Sequence, residues 1–386
     1  MLDIRALPAE LAFQPFHPHQ DLYTMPHTEH PTPWLARDLQ RDSSWIHKLS
    51  ENLVAELRAA VRHASSVNKQ FLEMTQQDFP LNAAAVTEIR DAFSAVQRRW
   101  GLCLMRGFPV REWSETESRL ALWGLALHVG VPRPQNKNSD VLNDVRDEGN
   151  QYRTREGRGY NTNSKLDFHI DLCDVVALLC RRAARKGGRS LIASSLAVVD
   201  ELTRVHPECA NALLQPFAMS RVGAQGKGEP PVYLSSLTGV VNGIRAFRIN
   251  RHSIERGQLD FPDVPRLTAM QMEAVDTVER LLADERFCYS MDLQEGDLQL
   301  LNNYVVVHSR TDFEDFDEPD EKRHLLRLWM AVPDSQPLPE DWRDAFHDVR
   351  AGAVRGGLRG GQITPAFLAF ERRQAEAFDM PNTYVS

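Results

Sequence analysis

The first third of the chain carries apolar residues at helical spacing, interrupted by one short strand-like run. Three amphipathic helices are predicted from this spacing, in SENLVAELRAAVRHASSV, in AAAVTEIRDAFSAVQRRW (ending near Gly101) and in SETESRLALWGLALHVGVP. Ser50 is placed to cap the first helix, and Ser114 with Glu117 forms a Ser-x-x-Glu capping box at the third. The run LCLMRGFPV between the second and third helices predicts a strand.

From about residue 160 the pattern changes to short β-like runs separated by turns. VVALLCRRA and RSLIASS, on either side of Gly187 and Gly188, are predicted to form a hairpin. Further strands are predicted in TGVVNGIRAFRIN, FCYSMDLQEGDLQLLNNYVVVHSR and KRHLLRLWMAV, with one helix in TAMQMEAVDTVERLLADE. Helices followed by many short strands predict an α+β chain whose β part is a sandwich or barrel.

The two ends of the chain lie outside this pattern. The first 45 or so residues are rich in Pro and His and predict an extended arm. The Gly/Arg-rich segment AGAVRGGLRGGQ predicts a flexible linker to a final helix, PAFLAFERRQAEAF. We therefore expect three parts, namely an arm with bracing helices over residues 1–95, a β domain over 96–335, and a tail with a helix over 336–386.

Composition narrows the class of partners. The chain has 386 residues, a formal charge of −8 and no apolar stretch near the roughly 20 residues of a membrane helix. No basic footprint for nucleic acid and no secretory signal are visible. Five cysteines without a CxxC pair argue against a disulfide framework or a structural zinc site. We expect a cytoplasmic protein with a small-molecule partner, and the composition leaves the oligomeric state open.

The segment KLDFHIDLC, residues 165–173, places ionisable side chains inside an otherwise apolar run. As a strand it would put His169 and Asp171 on one face, because strand side chains alternate with a period of two. The same His-x-acid spacing occurs at His19, His27 and His206, but in Pro-rich or helix-like contexts. Of these pairs, only His169 and Asp171, in the strand-like run, are expected to bind one metal ion together.

A third ligand is expected from another strand. His308 stands at the end of the β-branched run in LLNNYVVVHSR. Two imidazoles and one carboxylate on one side of a metal leave the opposite positions open, which is the ligand set of non-haem Fe(II) oxygenases.

Two arginines follow on a predicted strand. In KRHLLRLWMAV, alternation puts Arg323, Leu325, Arg327 and Trp329 on one face. Two guanidinium groups on a mostly apolar face are costly without anionic partners, and their forked geometry suits a carboxylate. A structural ion pair with Asp312, Glu314 or Asp315 is the alternative for Arg323.

Together these residues resemble the Fe(II)- and 2-oxoglutarate-dependent oxygenases of the taurine dioxygenase and clavaminate synthase-like (TauD/TfdA) superfamily. The resemblance runs from about residue 100 to 332 and implies a double-stranded β-helix (jelly roll) with flanking helices. It implies that His169, Asp171 and His308 bind Fe(II), that 2-oxoglutarate and O₂ take the open positions, and that Arg323 pairs with the distal carboxylate of 2-oxoglutarate. Ser190 in the GGRS turn takes the place of a hydroxyl near that carboxylate, where the taurine enzyme has Thr. Arg327 matches an arginine that faces the substrate in several relatives.

The expected activity is oxidation of an unactivated C–H bond of a small molecule, by hydroxylation or a related reaction such as desaturation, with release of succinate and CO₂. Halogenating relatives lack the carboxylate ligand, whereas Asp171 is present here. Two alternatives remain at this point. One is a zinc-dependent hydrolase on the same three ligands, and the other is a non-catalytic jelly-roll binding protein.

Overall fold

The computed structural model of the protein describes residues 30–150, 152, 159–360 and 363–385. His19 and His27 of the amino-terminal arm lie outside the described residues. The α-helices of the described part are α1 Ala36–Arg41, α2 Glu51–Val67, α3 Ala83–Ala95, α4 Glu115–Ala126, α5 Ser195–Val205, α6 Pro207–Leu213, α7 Arg251–Asp260, α8 Ala269–Ala283, α9 Arg343–Phe346 and α10 Pro365–Ala377.

The strands of the described part are short and mostly follow residue 130. They are β1 Ile46–Lys48, β2 Leu102–Arg106, β3 Val131–Arg133, β4 Leu142–Val145, β5 Val175–Arg182, β6 Lys186–Gly187, β7 Ser190–Ser194, β8 Phe217–Ser220, β9 Val232–Ser235, β10 Thr238–Val241, β11 Ile244–Phe247, β12 Tyr289–Met291, β13 Asp297–Asn302, β14 Val306–Arg310, β15 Phe313–Glu314 and β16 His324–Ala331.

The predicted helices are present, and their caps explain where they begin. The Ser50 side chain accepts a hydrogen bond from the Leu53 backbone N–H at the start of α2. Ser114 and Glu117 form the predicted capping box at α4. α3 ends at Ala95, earlier than the predicted end near Gly101. The helices predicted before residue 130 and around 269–283 and 365–377 are thus confirmed.

The described chain has five sheets, of which three have only two strands each (β8-β9, β10-β11 and β6-β15). Of the other two, the larger has the order β1-β2-β13-β5-β16-β3, with β4 paired to β16, and the smaller has the order β12-β7-β14. β13, β5 and β16 pair antiparallel at the centre of the larger sheet. This arrangement of helices and paired sheets confirms the α+β class and agrees with the predicted jelly roll.

Both faces of the larger sheet are covered by hydrophobic core. Leu326, Leu328 and Met330 of β16 pack with the helices of the first third of the chain, whereas Leu325 and Trp329 belong to the core between the sheets. The strand therefore reads as a continuous buried run, because both of its faces are covered. The division of the chain at residues 95 and 335 stays a prediction.

The predicted hairpin around Gly187 and Gly188 is wrong. β5 pairs with β13 and β16 in the larger sheet, whereas β7 pairs with β12 and β14 in the smaller one. The chain crosses from one sheet to the other through β6, which pairs with β15. A turn signal between two β runs cannot distinguish a hairpin from a strand that changes sheets.

The predicted flexible linker is also wrong over its described residues. Ala353, Val354 and Arg355 are completely buried. Arg355 Nε lies 2.7 Å from Asp174 Oδ1, and both side chains are fully buried. The Asp174 carboxylate also accepts hydrogen bonds from Tyr304 Oη (2.5 Å) and the Val332 backbone N–H (3.0 Å). The tail is thus attached to the start of β5.

No helix in the described part of the chain is long and apolar enough to cross a membrane. All five cysteines are free, and four of them are buried.

Replacing Arg355 by Met should lower the free energy of unfolding by about 3–5 kcal/mol, because the Asp174 charge would stay buried without a partner. The measurement is urea-induced unfolding of purified protein. The control is Arg204→Met, which removes an exposed pair with Glu201 and should change the free energy by about 0.5 kcal/mol or less. Equal effects of the two substitutions would contradict the role given to the buried pair.

Candidate active site

The segment that carries His169 and Asp171 is extended but is not the regular strand predicted for residues 165–173. Within it only His169 forms β-bridges, to His308 of β14 and to Asn250. Phe168 and Ile170 belong to the hydrophobic core, although residues 166–172 all contribute to the lining of one cavity. We use the name central cavity for the space between the sheets, and the side chains of His169 and Asp171 line it.

His169, Asp171 and His308 converge in the central cavity. Ligand-type atoms of the three residues all lie within 4.8 Å of one another. The two imidazole rings have centroids 4.4 Å apart, and His308 Nε2 lies 3.8 Å from Asp171 Oδ2. The structure thus brings together the three residues predicted to bind a metal.

Hydrogen bonds orient these side chains. His169 Nδ1 donates to the Asp167 carbonyl oxygen at 2.8 Å, which leaves Nε2 as the atom with a free lone pair. The Asp171 backbone N–H donates to the Asn303 side chain. Asp171 Oδ2 is buried and has no hydrogen-bond partner among the described residues. A buried acceptor of this kind is expected where a cation binds.

The protonation states suit a metal. Burial by itself acts to raise the pKa of Asp171, but Arg327 and the two imidazoles outweigh it and hold that pKa below its usual value. Burial, with the nearby His169, lowers the pKa of His308 to about 3. At neutral pH the site therefore holds one carboxylate and a neutral His308 imidazole, which are the forms that bind metal ions. Two imidazoles and one carboxylate on one side fit Fe(II).

A second group of Glu115, Asp144 and His324 also has ligand-type atoms close together. Arg119 pairs with Asp144, and Arg181 Nη1 lies 2.8 Å from His324 Nδ1. Guanidinium groups therefore already supply the positive charge that a metal would bring. In the central cavity a guanidinium also approaches the carboxylate, since Arg327 Nη1 lies 3.5 Å from Asp171 Oδ1, but Asp171 Oδ2 has no hydrogen-bond partner among the described residues.

The predicted arginine face of β16 is confirmed. Arg323, which precedes the strand, and Leu325, Arg327 and Trp329 all line the central cavity. His324 points to the other side, where its Nε2 lies 2.6 Å from Asp144 Oδ1. The period of two therefore identified correctly which side chains share the cavity with the metal-type ligands.

Within the described residues, the guanidinium group of Arg323 has no carboxylate partner. Asp315, one of the alternatives considered from the sequence, accepts a hydrogen bond only from the Arg323 backbone N–H. Nη1 is buried without a partner among the described residues, and burial lowers the pKa of the side chain. Gly188, with φ of +68°, leaves the space that the side chain occupies, since a Cβ there would lie 3.0 Å from Arg323 Nε.

Arg310 is a cavity residue that the sequence reasoning missed. It pairs in register with Ser190, its guanidinium lies over the Phe313 ring as that of Arg323 does, and its Nη1 also lacks a partner in the described chain. Burial and the charge of Arg323 lower the pKa of Arg310 to about 9. The period of two from His308 was the signal that could have found it.

Ser190 and Arg327 both line the central cavity. Ser190 Oγ donates to Gln299 Oε1 at 3.1 Å. Arg327 Nε donates to Gln135 Oε1 at 2.8 Å, and its Nη1 lies 3.5 Å from Asp171 Oδ1. Arg327 therefore neutralises the carboxylate of the candidate metal site as well as facing the cavity.

Gln135, Tyr160, Arg221 and Tyr233, from two further segments of the chain, contribute to the lining of the central cavity. The segment 248–253 also lines the cavity, and it was not singled out from the sequence. It lies beside the metal-type ligands because Asn250 forms a bridge with His169.

Comparison with known proteins gives several relatives. FR-33289 synthase of Streptomyces rubellomurinus is 29% identical over 314 residues, which are 79% of this chain and 91% of the relative. A taurine hydroxylase-like protein of Stachybotrys chartarum is 26% identical over 76% of this chain and 77% of its own. A uridine-5'-phosphate dioxygenase of an Amycolatopsis species is 28% identical over 56% of this chain and 80% of its own.

Solved structures share the fold. Asparagine oxygenase in complex with Fe(II), 3-hydroxyasparagine and succinate aligns over 74% of this chain and 93% of its own, with a TM-score of 0.54 and 17% identity. The non-heme iron oxygenase OrfP in complex with Fe and alpha-ketoglutaric acid aligns over 74% and 93%, with a TM-score of 0.55 and 14% identity. The model of the family described as "Taurine catabolism dioxygenase TauD, TfdA family" matches residues 46–329, which include all three metal-type ligands and both arginines of the β16 face. The chain therefore belongs to the taurine catabolism dioxygenase TauD, TfdA family.

Proposed function

We propose that this dioxygenase binds Fe(II) through His169, Asp171 and His308, and that it oxidises a C–H bond of a small molecule with 2-oxoglutarate as cosubstrate. The observation that carries the proposal is that three metal-type ligands and an unpaired, buried Arg323 line the same cavity. A metal ion would occupy the space to which the three ligands are directed, and a dicarboxylic acid would supply the negative charge that Arg323 lacks.

The iron site needs the three side chains in fixed orientations. Iron bound there supplies the activation of O₂ that is coupled to the conversion of 2-oxoglutarate into succinate and CO₂. The Asp167 carbonyl holds the His169 ring with Nε2 available, and Asn303 holds the backbone of Asp171. Arg327 keeps Asp171 ionised, so the site has its anionic ligand at neutral pH.

The cosubstrate is held at its distal carboxylate by Arg323, with Ser190 beside it. Arg310 is placed to strengthen the same attraction, because its guanidinium and that of Arg323 both lie over the Phe313 ring. Two buried cations repel each other, and a carboxylate bound near both relieves this repulsion. A guanidinium fork binds a carboxylate through two parallel hydrogen bonds, and Arg323 Nη1 is available for one of them.

The proposed reaction is hydroxylation or a related oxidation such as desaturation. Asp171 fills the position that halogenating relatives leave empty, which favours these outcomes. The comparisons give no support to the two alternatives, a zinc-dependent hydrolase or a non-catalytic binding protein, because the family and the relatives named above are described as dioxygenases, oxygenases, a hydroxylase-like protein and a synthase.

Arg327 is proposed to face the substrate, as the resemblance implies, while its Nη1 stays near Asp171. Relatives act on small molecules such as uridine-5'-phosphate, as the name of one of them states. We propose a cytoplasmic location, in keeping with five free cysteines, and a partner list without nucleic acid or membrane, in keeping with a net charge of −8.

The iron site is tested by adding Fe(II) and then 2-oxoglutarate to metal-free protein without oxygen. The expected result is the weak visible charge-transfer band of the iron chelate, and His169→Ala should lose it because one of three ligands is gone. His206→Ala is the matched control, since His206 is exposed and has the same spacing to an acidic residue. A band that survives His169→Ala, or one that never forms in the unsubstituted protein, would contradict the assignment.

The cosubstrate site is tested through Arg323→Met. The KM for 2-oxoglutarate should rise about 10- to 100-fold, because a charged hydrogen bond is worth about 1.5–3 kcal/mol. Succinate release measures the effect. The exposed helix residue Arg62 provides the control substitution Arg62→Met, with an unchanged KM. Equal KM values for the two variants would contradict the assignment of Arg323 to the cosubstrate site.

A further inference from the structure

Arg248 is a buried arginine at a part of the central cavity that the cosubstrate and metal proposals do not use. It follows β11, is only 2% exposed, and lines the cavity together with Tyr233 of β9. The next residue, Ile249, accepts a hydrogen bond from the Ile170 backbone N–H at 3.1 Å. Arg248 thus lies one residue from the segment that carries His169 and Asp171.

Arg248 has only uncharged partners in the part of the chain that the structure describes. Nη1 donates to Ser235 Oγ at 3.1 Å, and Nη2 donates to Tyr233 Oη at 2.6 Å. The guanidinium carbon lies 5.4–5.6 Å from the ring centroids of Tyr233, Trp342 and Phe346. Nε is buried and has no hydrogen-bond partner among the described residues.

A buried arginine without a carboxylate partner is unusual in this protein, as a comparison with its other buried arginines shows. Eight arginines are buried in the described chain. Five of them have a carboxylate within 4.0 Å, in the pairs Arg133–Glu371, Arg181–Glu115, Arg221–Glu229, Arg327–Asp171 and Arg355–Asp174. The three without such a carboxylate among the described residues are Arg248, Arg310 and Arg323, and all three line the central cavity.

A buried cation without an anion is unstable by several kcal/mol. The three aromatic rings around Arg248 offset part of this cost, but they do not satisfy Nε. Arg323 also lacks an anionic partner, and in the proposed function a carboxylate of the cosubstrate supplies it. The equivalent argument for Arg248 requires a second anion in the same cavity, and the remaining molecule that enters it is the substrate.

We propose that Arg248 and Tyr233 bind an oxyanion group of the substrate, so that the substrate is an anionic small molecule. Arg248 Nε donates one hydrogen bond to the oxyanion. The Tyr233 hydroxyl accepts from Arg248, and its own proton donates a second bond to the oxyanion. The group is a carboxylate, a phosphate or a phosphonate, all of which offer oxygen acceptors to these donors. The proposal rests on the proposed function, since it assumes that 2-oxoglutarate occupies the Arg323 end.

The test uses the protein loaded with Fe(II) and saturating 2-oxoglutarate in the absence of oxygen. Acetate, methylphosphonate and inorganic phosphate are added separately as probes, with methanol as the uncharged control, and binding is followed by calorimetry and by broadening of the probe signals in NMR. The three anions distinguish a carboxylate site from a phosphoryl site. We expect at least one anion to bind, whereas methanol should not bind. Arg248→Met should lower the affinity for that anion at least tenfold.

Arg256→Met is the matched control, because Arg256 forms an exposed pair with Asp260 on α7. It should leave anion binding unchanged. Tyr233→Phe keeps the ring and removes the hydroxyl, so it should lower the affinity for the anion about threefold or more. This variant tests the site even if Arg248→Met does not fold. Anion binding that is unaltered in Tyr233→Phe and in a folded Arg248→Met, or no anion binding at all, would overturn the proposal.

The charge-transfer band of the same samples separates the two proposals. If the unsubstituted protein gives the band but binds no anion, the oxyanion site is wrong and the dioxygenase assignment of the ligands stands. If it gives no band, the iron and cosubstrate assignments are wrong, and the oxyanion site falls with them.

Discussion

An arginine can be buried only if another charge or a set of hydrogen bonds replaces the water that it loses, and this constraint shapes the whole protein. Away from the cavity, carboxylates meet it: Arg355 is buried against Asp174, and Arg133 against Glu371. These pairs join the tail and α10 to strands of the larger sheet. In the cavity the constraint is left partly unmet, and there the protein is prepared for anionic ligands.

Strand β16 links the hydrophobic core to the arginine residues of the cavity. One face of the strand is apolar and lies under the helices of the first third of the chain. The other face carries Arg327 into the cavity, where it lies near Asp171. Because alternate side chains leave a strand in opposite directions, the helices that cover one face hold the arginine side chains of the other face in place. The N-terminal helices thus act on the site through the strand rather than by contact with a ligand.

The sequence predicted most of the candidate site and much of the helical structure. His169, Asp171, His308, Arg323 and Arg327 were found from alternation, residue type and order along the chain, and the structure places all five in one cavity. Arg310 and Arg248 were missed. Arg310 shares a strand face with His308, and the period of two applied once more would have found it. Arg248 had no such signal, because its importance lies in the lack of a carboxylate partner, which depends on residues far away in the chain.

The features that the sequence by itself determined are those that depend on interactions between nearby residues. Helix caps, the alternation of side chains along strands and the ligand chemistry of His and Asp all act over a few residues, so they can be read from a short segment. The tertiary structure decided which strands pair, and there the sequence misled. The two β runs around Gly187 belong to different sheets, and a Gly/Arg-rich segment is buried because Asp174 lies opposite Arg355. Pairing between distant segments depends on which partners the whole fold brings together, and that information is not present in any one stretch of the chain.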